Sequence, residues 1–558
     1  MPDSKIVQPA RITDGLIASA TQHPEAIALT IGTSQDPLHC TYGEMLSSVR
    51  AIAAQVSELS PNENINRRAL PQQPWVALLL PNRAELLTYF FGTALADGVA
   101  MVLNPDWSQA QITTLLQRWT PDLLVTEIPI LEGLKQSGAW AAIHAIQPVK
   151  AIALPPVNDC GAIRATPRQA NAPNLPNLPH PNLLTPDSFP PPSSPPPSSL
   201  PFYIGFTSGT TGQPKGVIRS HQSWINSFRI SRQVFGFAPD ESILVPGSLV
   251  HSLSLYTALE ALVQGATLHL LPSFHPKHAL HRLSSEPITR LVAVPTLLGA
   301  IARAMQRRAL SCPTVRSIIS AGSKLSPKLR HQLQKGFPNA EVLEYYGASE
   351  LSFISLASSQ DSVPLHSVGR PFPEVTVGIR RPTGEPAPPG EIGQISIQSA
   401  MICSGYLDPT DDTGFRIEQG WATVGDRGWL DDQGFLYLAG RERDMVICNG
   451  VNVYPAEVEA ALVTHPAIEE AIVLGLPDDC RGDRLYAVLT LSDGEVLNRA
   501  DVTRHLQMCL EPAKCPRQWF VTEALPLTSS GKIDRATLLR NVLSGHPSLQ
   551  KLGLHSME

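Results

Sequence analysis

The sequence predicts a large α/β N-terminal unit followed by a small α+β unit, and three observations carry that reading. Strand-length apolar runs alternate with a helix-length amphipathic stretch in the first part of the chain. From about Gly390 the texture becomes β-rich. After Arg441, short helix and strand patterns fill a compact segment of a little over a hundred residues. At 558 residues the chain has length for roughly three or four domain-sized units.

Trp75–Leu80 is an unbroken apolar run stopped by Pro81-Asn82, which suits a strand buried on both faces. Arg83 to Ala96 follows with Leu86, Leu87, Phe90 and Phe91 on one helical face, and Val99–Leu103 is a second apolar run stopped by Asn104-Pro105. Strand, helix and strand at this spacing form a βαβ pattern. Further strands are expected at Leu123–Val125, Val315–Ser320 and Val342–Tyr345, and in the β-rich part at Gln394–Ile397 and Phe435–Leu438. Beyond Arg441 the pattern predicts helix over Ala456–Val463, strands over Ala471–Leu474 and Leu485–Leu491, helix over Arg499–Leu510 and strand over Gln518–Thr522. Residues 171–201 break the texture. Pro190-Pro191-Pro192 and Pro195-Pro196-Pro197 remove ladder donors and fix φ, so this is an exposed insertion, either a solvated spacer or a docking site for a proline-reading partner.

Composition narrows the function class. Hydrophobic residues are 43% and charged residues 16%, normal for a globular chain, and a net charge of −6 gives no electrostatic reason to expect nucleic acid. The eight cysteines (Cys40, Cys160, Cys312, Cys403, Cys448, Cys480, Cys509, Cys515) include no C-x-x-C pair, which argues against a zinc module and a disulfide framework. The first residues lack the basic start and apolar stretch of a signal peptide. Tyr89–Leu103 is broken by Gly92, Asp97 and Gly98 and is too short to span a bilayer. A cytoplasmic protein without a transmembrane segment is expected.

The most informative stretch is Thr207-Ser208-Gly209-Thr210-Thr211-Gly212-Gln213-Pro214-Lys215-Gly216-Val217, directly after the strand-like run Leu200–Phe206. Glycines let backbone amides approach phosphate oxygens, hydroxyls add donors, and lysine adds a point charge. A solvated polar turn would use similar residues, but not at this density behind a buried strand. It is not a P-loop, because Pro214 stands where the second glycine belongs; Gly531-Lys532 is followed by Ile533 and preceded by Pro526 at the first glycine position. It is not a nucleophile elbow, because Phe206 replaces the first glycine.

The stretch resembles the signature of the adenylate-forming enzymes: acyl-CoA synthetases, adenylation domains of nonribosomal peptide synthetases, and luciferases. The other motifs of that family follow in order. Pro246-Gly247-Ser248-Leu249-Val250-His251 matches the histidine segment beside the acyl pocket. Ser320-Ala321-Gly322-Ser323-Lys324-Leu325-Ser326 is similar to the loop bordering adenine and acyl channel, with Lys324 where proline is commoner. Tyr345-Tyr346-Gly347-Ala348-Ser349-Glu350 matches Tyr-Gly-x-Thr-Glu, with serine for threonine. Trp421 to Asp426, Arg441, the run Gly450 to Glu459, and Pro526 to Arg535 with its Gly531-Lys532-Ile533-Asp534-Arg535 complete the series.

The resemblance implies an α/β large N-terminal domain, residues 1–440, with sheet-rich subdomains and a small β-barrel-like part. A hinge at 441–444, centred on Arg443, and a small mobile α+β C-terminal domain at 445–558 follow. It also assigns residues. Lys532, Glu350 and His251 form the expected catalytic group, Lys532 at the carboxylate and α-phosphate, Glu350 holding Mg²⁺, and His251 as pocket residue or base. Thr207, Ser208, Gly209, Thr210, Thr211, Gly212 and Lys215 would hold phosphates. Gly322, Tyr345, Tyr346, Gly347 and Ser349 would border the adenylate, with Tyr346 against adenine. Asp426 would take the ribose, Arg441 the ribose or a phosphate, and Gly450 would face the site during thiol transfer.

The function implied is ATP- and Mg²⁺-dependent conversion of a carboxylic acid to acyl-AMP, then transfer to coenzyme A. The chain, with no carrier domain after Lys532, and the run Asn452-Val453-Tyr454-Pro455 favour coenzyme A; a carrier-protein phosphopantetheine is the alternative acceptor. Leu253, Leu255, Tyr256 and Leu291–Leu298 read as the wall of a pocket for an apolar or fatty acid, or as ordinary core. A catalytically dead scaffold is the reading from another class, and the retained Lys532, Glu350 and Asp426 speak against it.

Overall fold

The computed structural model describes residues 11–32, 37–61, 72–146, 149–156, 199–207, 214–408, 414–441, 444–448, 451–478, 482–492, 494–511, 514–528 and 533–552. Ser208, Gly209, Thr210, Thr211, Gly212, Arg443, Gly450, Lys532 and all but the last residues of the proline-rich insertion lie outside them.

The first apolar runs become the middle of a seven-stranded sheet. Trp75–Leu79 lies parallel to Val99–Leu103 on one side and to Leu123–Glu127 on the other. All five residues of Trp75–Leu79 and of Val99–Leu103 are buried, which is why neither strand alternates in polarity. The crossover is the helix Ala84–Leu95, with Phe90 and Phe91 fully buried. Pro201–Thr207 adds to this sheet beside Val99–Leu103, its proline at the first position where a ladder donor is dispensable. Lys215–Ser220 then runs antiparallel to Pro201–Thr207, and the two-residue strand Gly405–Tyr406 runs antiparallel to Lys215–Ser220 at the edge.

A second, nine-stranded sheet has a parallel middle, with Thr267–Leu270, Ser242–Val245, Arg290–Val292, Ser317–Ala321 and Glu341–Ala348 side by side. Ser352–Ser358 turns back antiparallel against Glu341–Ala348. The β-rich part is a six-stranded antiparallel sheet that includes Gly393–Gln398, Asp426–Leu430 and Leu436–Arg441. One continuous apolar core links these three sheets, from Ile12 and Leu78 through Val245 and Phe353 to Ile395 and Leu436.

From Val446 onward the strands belong to a fourth sheet, with a long antiparallel pair Ile468–Asp478 and Gly482–Leu491 and a parallel neighbour Gln518–Val521. The helices Pro455–Leu462 and Arg499–Cys509 cover it, burying Val458, Leu462, Val502 and Leu506 in a separate core. Arg303 pairs with Glu469 (3.6 Å), and Lys328 Nζ donates to Ser492 Oγ (3.2 Å), so polar contacts join this sheet's unit to the nine-stranded one.

Candidate active site

Thr207 ends one strand and Lys215 begins the next, and the two residues face each other in antiparallel register. Thr207 Oγ1 donates to the Lys215 carbonyl across 3.5 Å. The strand pair therefore holds the two ends of the glycine-hydroxyl segment together, and Lys215 itself is buried.

Two residues past Lys215, Val217 pairs with Tyr406, whose hydroxyl donates to Glu350 Oε1. Glu350 sits in the turn between Glu341–Ala348 and Ser352–Ser358, which belong to the other large sheet. That turn is anchored by Arg219, a buried residue of the Lys215–Ser220 strand. One guanidinium nitrogen of Arg219 donates to the carbonyls of Ser349 (3.1 Å) and Glu350 (3.3 Å), the other to Ser352 Oγ (2.7 Å) and the Met401 carbonyl (2.8 Å). Cys403 N–H also donates to the Glu350 carbonyl (2.7 Å). Ser349 Oγ lies 2.8 Å from Ser252 Oγ, which ties the turn to the start of the helix Ser252–Val263. A bulge falls between Tyr346 and Gly347. A Cβ at Gly347 would lie 2.2 Å from the Ser352 carbonyl oxygen, so this position admits only glycine without backbone movement.

Asp426 opens the strand Asp426–Leu430 and is buried. Tyr346 Oη donates to its Oδ2 (2.5 Å), and Arg441 Nε to its Oδ1 (3.0 Å). Burial, and then the Asp426 charge, push the Tyr346 phenol well above its ordinary range, so it remains a donor. A carboxylate has about four lone-pair directions, so it can accept further donors beyond these two.

On the acid side, His251 occupies the N-cap position of the helix Ser252–Val263, its N–H bonded to the Ser248 carbonyl (3.2 Å). The loop leading to it is held by Asn82, whose amide donates to the carbonyls of Gly247 and Leu271 (2.9 Å each) and accepts from Leu249 N–H (2.7 Å). Gly322, with φ +94°, turns the chain after the strand Ser317–Ala321, a conformation L side chains avoid. Lys324 is exposed and donates Nζ to the Ser367 carbonyl (2.7 Å), and lost hydration pulls its ammonium down to about 8. Tyr345 lines a small cavity, with room for about one water, together with Leu253 and Tyr256.

Contacts thus link several described members of the expected set: the strand of Lys215 to Glu350 through Tyr406, Glu350 to Ser349 through Arg219, and Tyr346 to Arg441 through Asp426. Arg219, Asn82 and Tyr406 were not singled out from the sequence. A lone arginine in the otherwise short, apolar-leaning strand Lys215–Ser220 was the available signal for the first. Among the described residues no three His, Cys, Asp or Glu side chains cluster as a metal site. A cation at Glu350 would therefore take its other ligands from phosphate and water, the coordination Mg²⁺ prefers.

Comparison with known proteins agrees with this geometry. Residues 16–407 match the family model of the AMP-binding enzyme, and residues 457–532 match that of the AMP-binding enzyme C-terminal domain. An uncharacterized acyl-CoA ligase of Bacillus subtilis, YhfT, is 35% identical over 475 residues, covering 84% of this chain and 88% of its own. A long-chain-fatty-acid–CoA ligase of the same organism is 30% identical, over 61% of this chain and 62% of its own. Among solved structures, ATP-bound MatB from Rhodopseudomonas palustris superposes with a TM-score of 0.76 at 23% identity, covering 96% of this chain and 98% of that one. The o-succinylbenzoate coenzyme A synthetase MenE of Bacillus subtilis, in complex with ATP and magnesium ion, gives 0.71 at 25% identity, over 94% and 99%. The chain belongs to the AMP-binding enzyme family of adenylate-forming enzymes and is an enzyme of the AMP-forming acid–thiol ligase class.

Proposed function

We propose that this enzyme binds ATP with Mg²⁺ in the cleft between Lys215, Glu350, Tyr346 and Asp426, converts a mainly apolar carboxylic acid to its acyl-adenylate, and transfers the acyl group to coenzyme A. The observation that supports this most directly is the junction at Tyr406, which joins the strand carrying Lys215 to the Glu350 carboxylate.

In the first half-reaction a substrate carboxylate oxygen attacks the α-phosphorus of ATP and the bond to pyrophosphate breaks. Two anions must approach, so cations and oriented donors lower the barrier. Asp426, Tyr346 and Arg441 orient the nucleoside, and Lys215 and Thr207 stand at the ends of the segment that would hold the leaving pyrophosphate. Glu350, kept in place by Tyr406 and Arg219, would hold Mg²⁺, which when bound neutralises phosphate charge. Lys532 would neutralise charge at the carboxylate and α-phosphate. In the second half-reaction the coenzyme A thiol attacks the acyl carbonyl and AMP leaves. Rotation of residues 445–558 about Arg443 would replace Lys532 by the Gly450 segment at the site.

Two measurements test this. A pyrophosphate-release screen over short, long, aromatic and amino acids, with and without coenzyme A, should find an acid whose adenylate is consumed by coenzyme A. Release at background for every acid would refute the proposal, and consumption only by a phosphopantetheinylated carrier protein would reassign the acceptor. Lys532→Ala should cut adenylate formation by about 10²–10³-fold while leaving thioester formation from supplied acyl-AMP within a few-fold. Equal loss of both steps would reject the role given to Lys532.

A further inference from the structure

Along one face of the helix Ser252–Val263 the molecule goes from open to shut. Ser252, whose hydroxyl meets Ser349 Oγ next to Glu350, is exposed. Leu253 and Tyr256 are half-buried, and Thr257 and Glu260 are buried. Tyr256 lies one turn beyond Ser252, four residues on, and Glu260 one turn beyond Tyr256, so the three stand in a row. Leu253, Tyr256, Thr257 and Glu260 line one small cavity, with room for about one water. No acyl chain passes Tyr256 toward Glu260.

Tyr256 is where the face closes. Its hydroxyl oxygen is buried although the residue as a whole is half-buried, so the hydroxyl is not what it turns to the open side. The ring is held by three others. Trp224 and Phe228, both on the helix His221–Phe235, lie at centroid distances of 5.2 and 5.1 Å, and Phe353, on the strand Ser352–Ser358, lies at 5.5 Å. Phe353 in turn packs edge-on against Tyr345 at 5.0 Å. Tilted and edge-to-face contacts of this kind are favourable beyond the area they bury, and a close-packed interior leaves few voids for a ring to rotate into. Swinging Tyr256 aside would break all three contacts at once, so the ring stays. From Ser252 to Tyr256 the helix advances about 6 Å, which an extended chain of about five carbons spans.

We propose that Tyr256 is the floor of the acid site and sets the length of the substrate: the preferred acid is short, of about six carbons or fewer, and longer chains are turned away at the Tyr256 ring. This rests on the acid-activating reading above. An extra methylene that a pocket cannot place costs about tenfold or more.

ATP–pyrophosphate exchange by the full chain should be measured with straight-chain acids: acetate, butanoate, hexanoate, decanoate and hexadecanoate. The wild type should give its highest kcat/KM at hexanoate or below and lose about tenfold or more by decanoate. Tyr256→Ala should move the optimum to a longer acid and raise the ratio of decanoate to butanoate about tenfold or more, with KM for ATP unchanged. Tyr256→Phe keeps the ring and should keep the short-acid optimum. Tyr256→Leu removes the ring with less lost volume; it should shift the optimum in the same direction as Tyr256→Ala and decides the matter if that variant does not fold. A role confined to packing would lower every acid together and leave the optimum in place, which would overturn the assignment to Tyr256. A wild-type optimum at decanoate or hexadecanoate would overturn the proposal while leaving acid activation standing. Exchange at background with every acid, those of the broader screen included, would remove acid activation itself, and this proposal with it.

Discussion

The proposed nucleotide side, around Asp426 and Glu350, and the helix Ser252–Val263 on the proposed acid side are built on opposite principles. On the nucleotide side each charged group already has a protein partner: Asp426 has Tyr346 and Arg441, and Glu350 has Tyr406. On the acid side one buried carboxyl, Glu260, has an oxygen without a partner among the described residues. A preorganised polar network can serve every reaction of the family, because ATP does not change between family members. The difference teaches that the motif residues sit in a paired polar network, while the helix Ser252–Val263 carries a buried carboxyl outside any motif.

Breaking the first side should cost most. Arg219→Leu removes donors from the carbonyls of Ser349, Glu350 and Met401 and from Ser352 Oγ, so a loss of about 5 kcal/mol is expected from several orphaned buried acceptors. Urea unfolding measures it, and retained wild-type stability would show that the turn does not depend on Arg219.

The second side should respond to pH. The Glu260 carboxyl lies at about 8 in the folded protein against an ordinary 4.5. The folded state thus keeps a proton that the unfolded chain releases, and stability falls as pH rises from about 4.5 toward 8, then levels off. Glu260→Gln lacks this dependence. Its unfolding free energy from urea titrations should gain on the wild type between pH 5 and 8, by on the order of 3 kcal/mol. Parallel curves would mean that Glu260 titrates normally.

Smaller effects sharpen the contrast. Asp426→Asn should raise KM for ATP about tenfold without altering the preference among acids, since Asp426 is not among the residues lining the cavity at Tyr256. Tyr406→Phe should weaken the Mg²⁺ dependence of adenylation by a few-fold, read from a metal titration, because the Glu350 carboxylate loses one orienting donor. A change in acid preference in either variant would dissolve the separation drawn here.

Most of the elements could be read from the sequence because they are strongly patterned. Val99–Leu103 matches its apolar run end for end, and the expected helix Arg499–Leu510 is the observed Arg499–Cys509. The expected strand Val342–Tyr345 is longer, Glu341–Ala348, because pairing with Ser352–Ser358 carries it through the polar motif residues. The motif residues were legible as a constellation, and contacts join Tyr346, Asp426 and Arg441, and Ser349 and Glu350. Their supports were not. Tyr406 reaches Glu350 only because Gly405–Tyr406 docks on Lys215–Ser220, a register that nothing local encodes. Asn82 reads as a strand stop, yet it spans two loops far away in sequence. Glu260 could have been flagged as an acid on the apolar face of a helix, but its unmatched oxygen is a tertiary fact.

The pairing of Asp426 with Arg441 has a mechanical side. They are register partners in adjacent strands, and Arg441 closes the last strand of the six-stranded sheet, just ahead of the strand Val446–Cys448 that starts the fourth. A nucleotide sugar held at Asp426, as proposed, would therefore grip the partner of the residue from which the chain leaves for its C-terminal sheet.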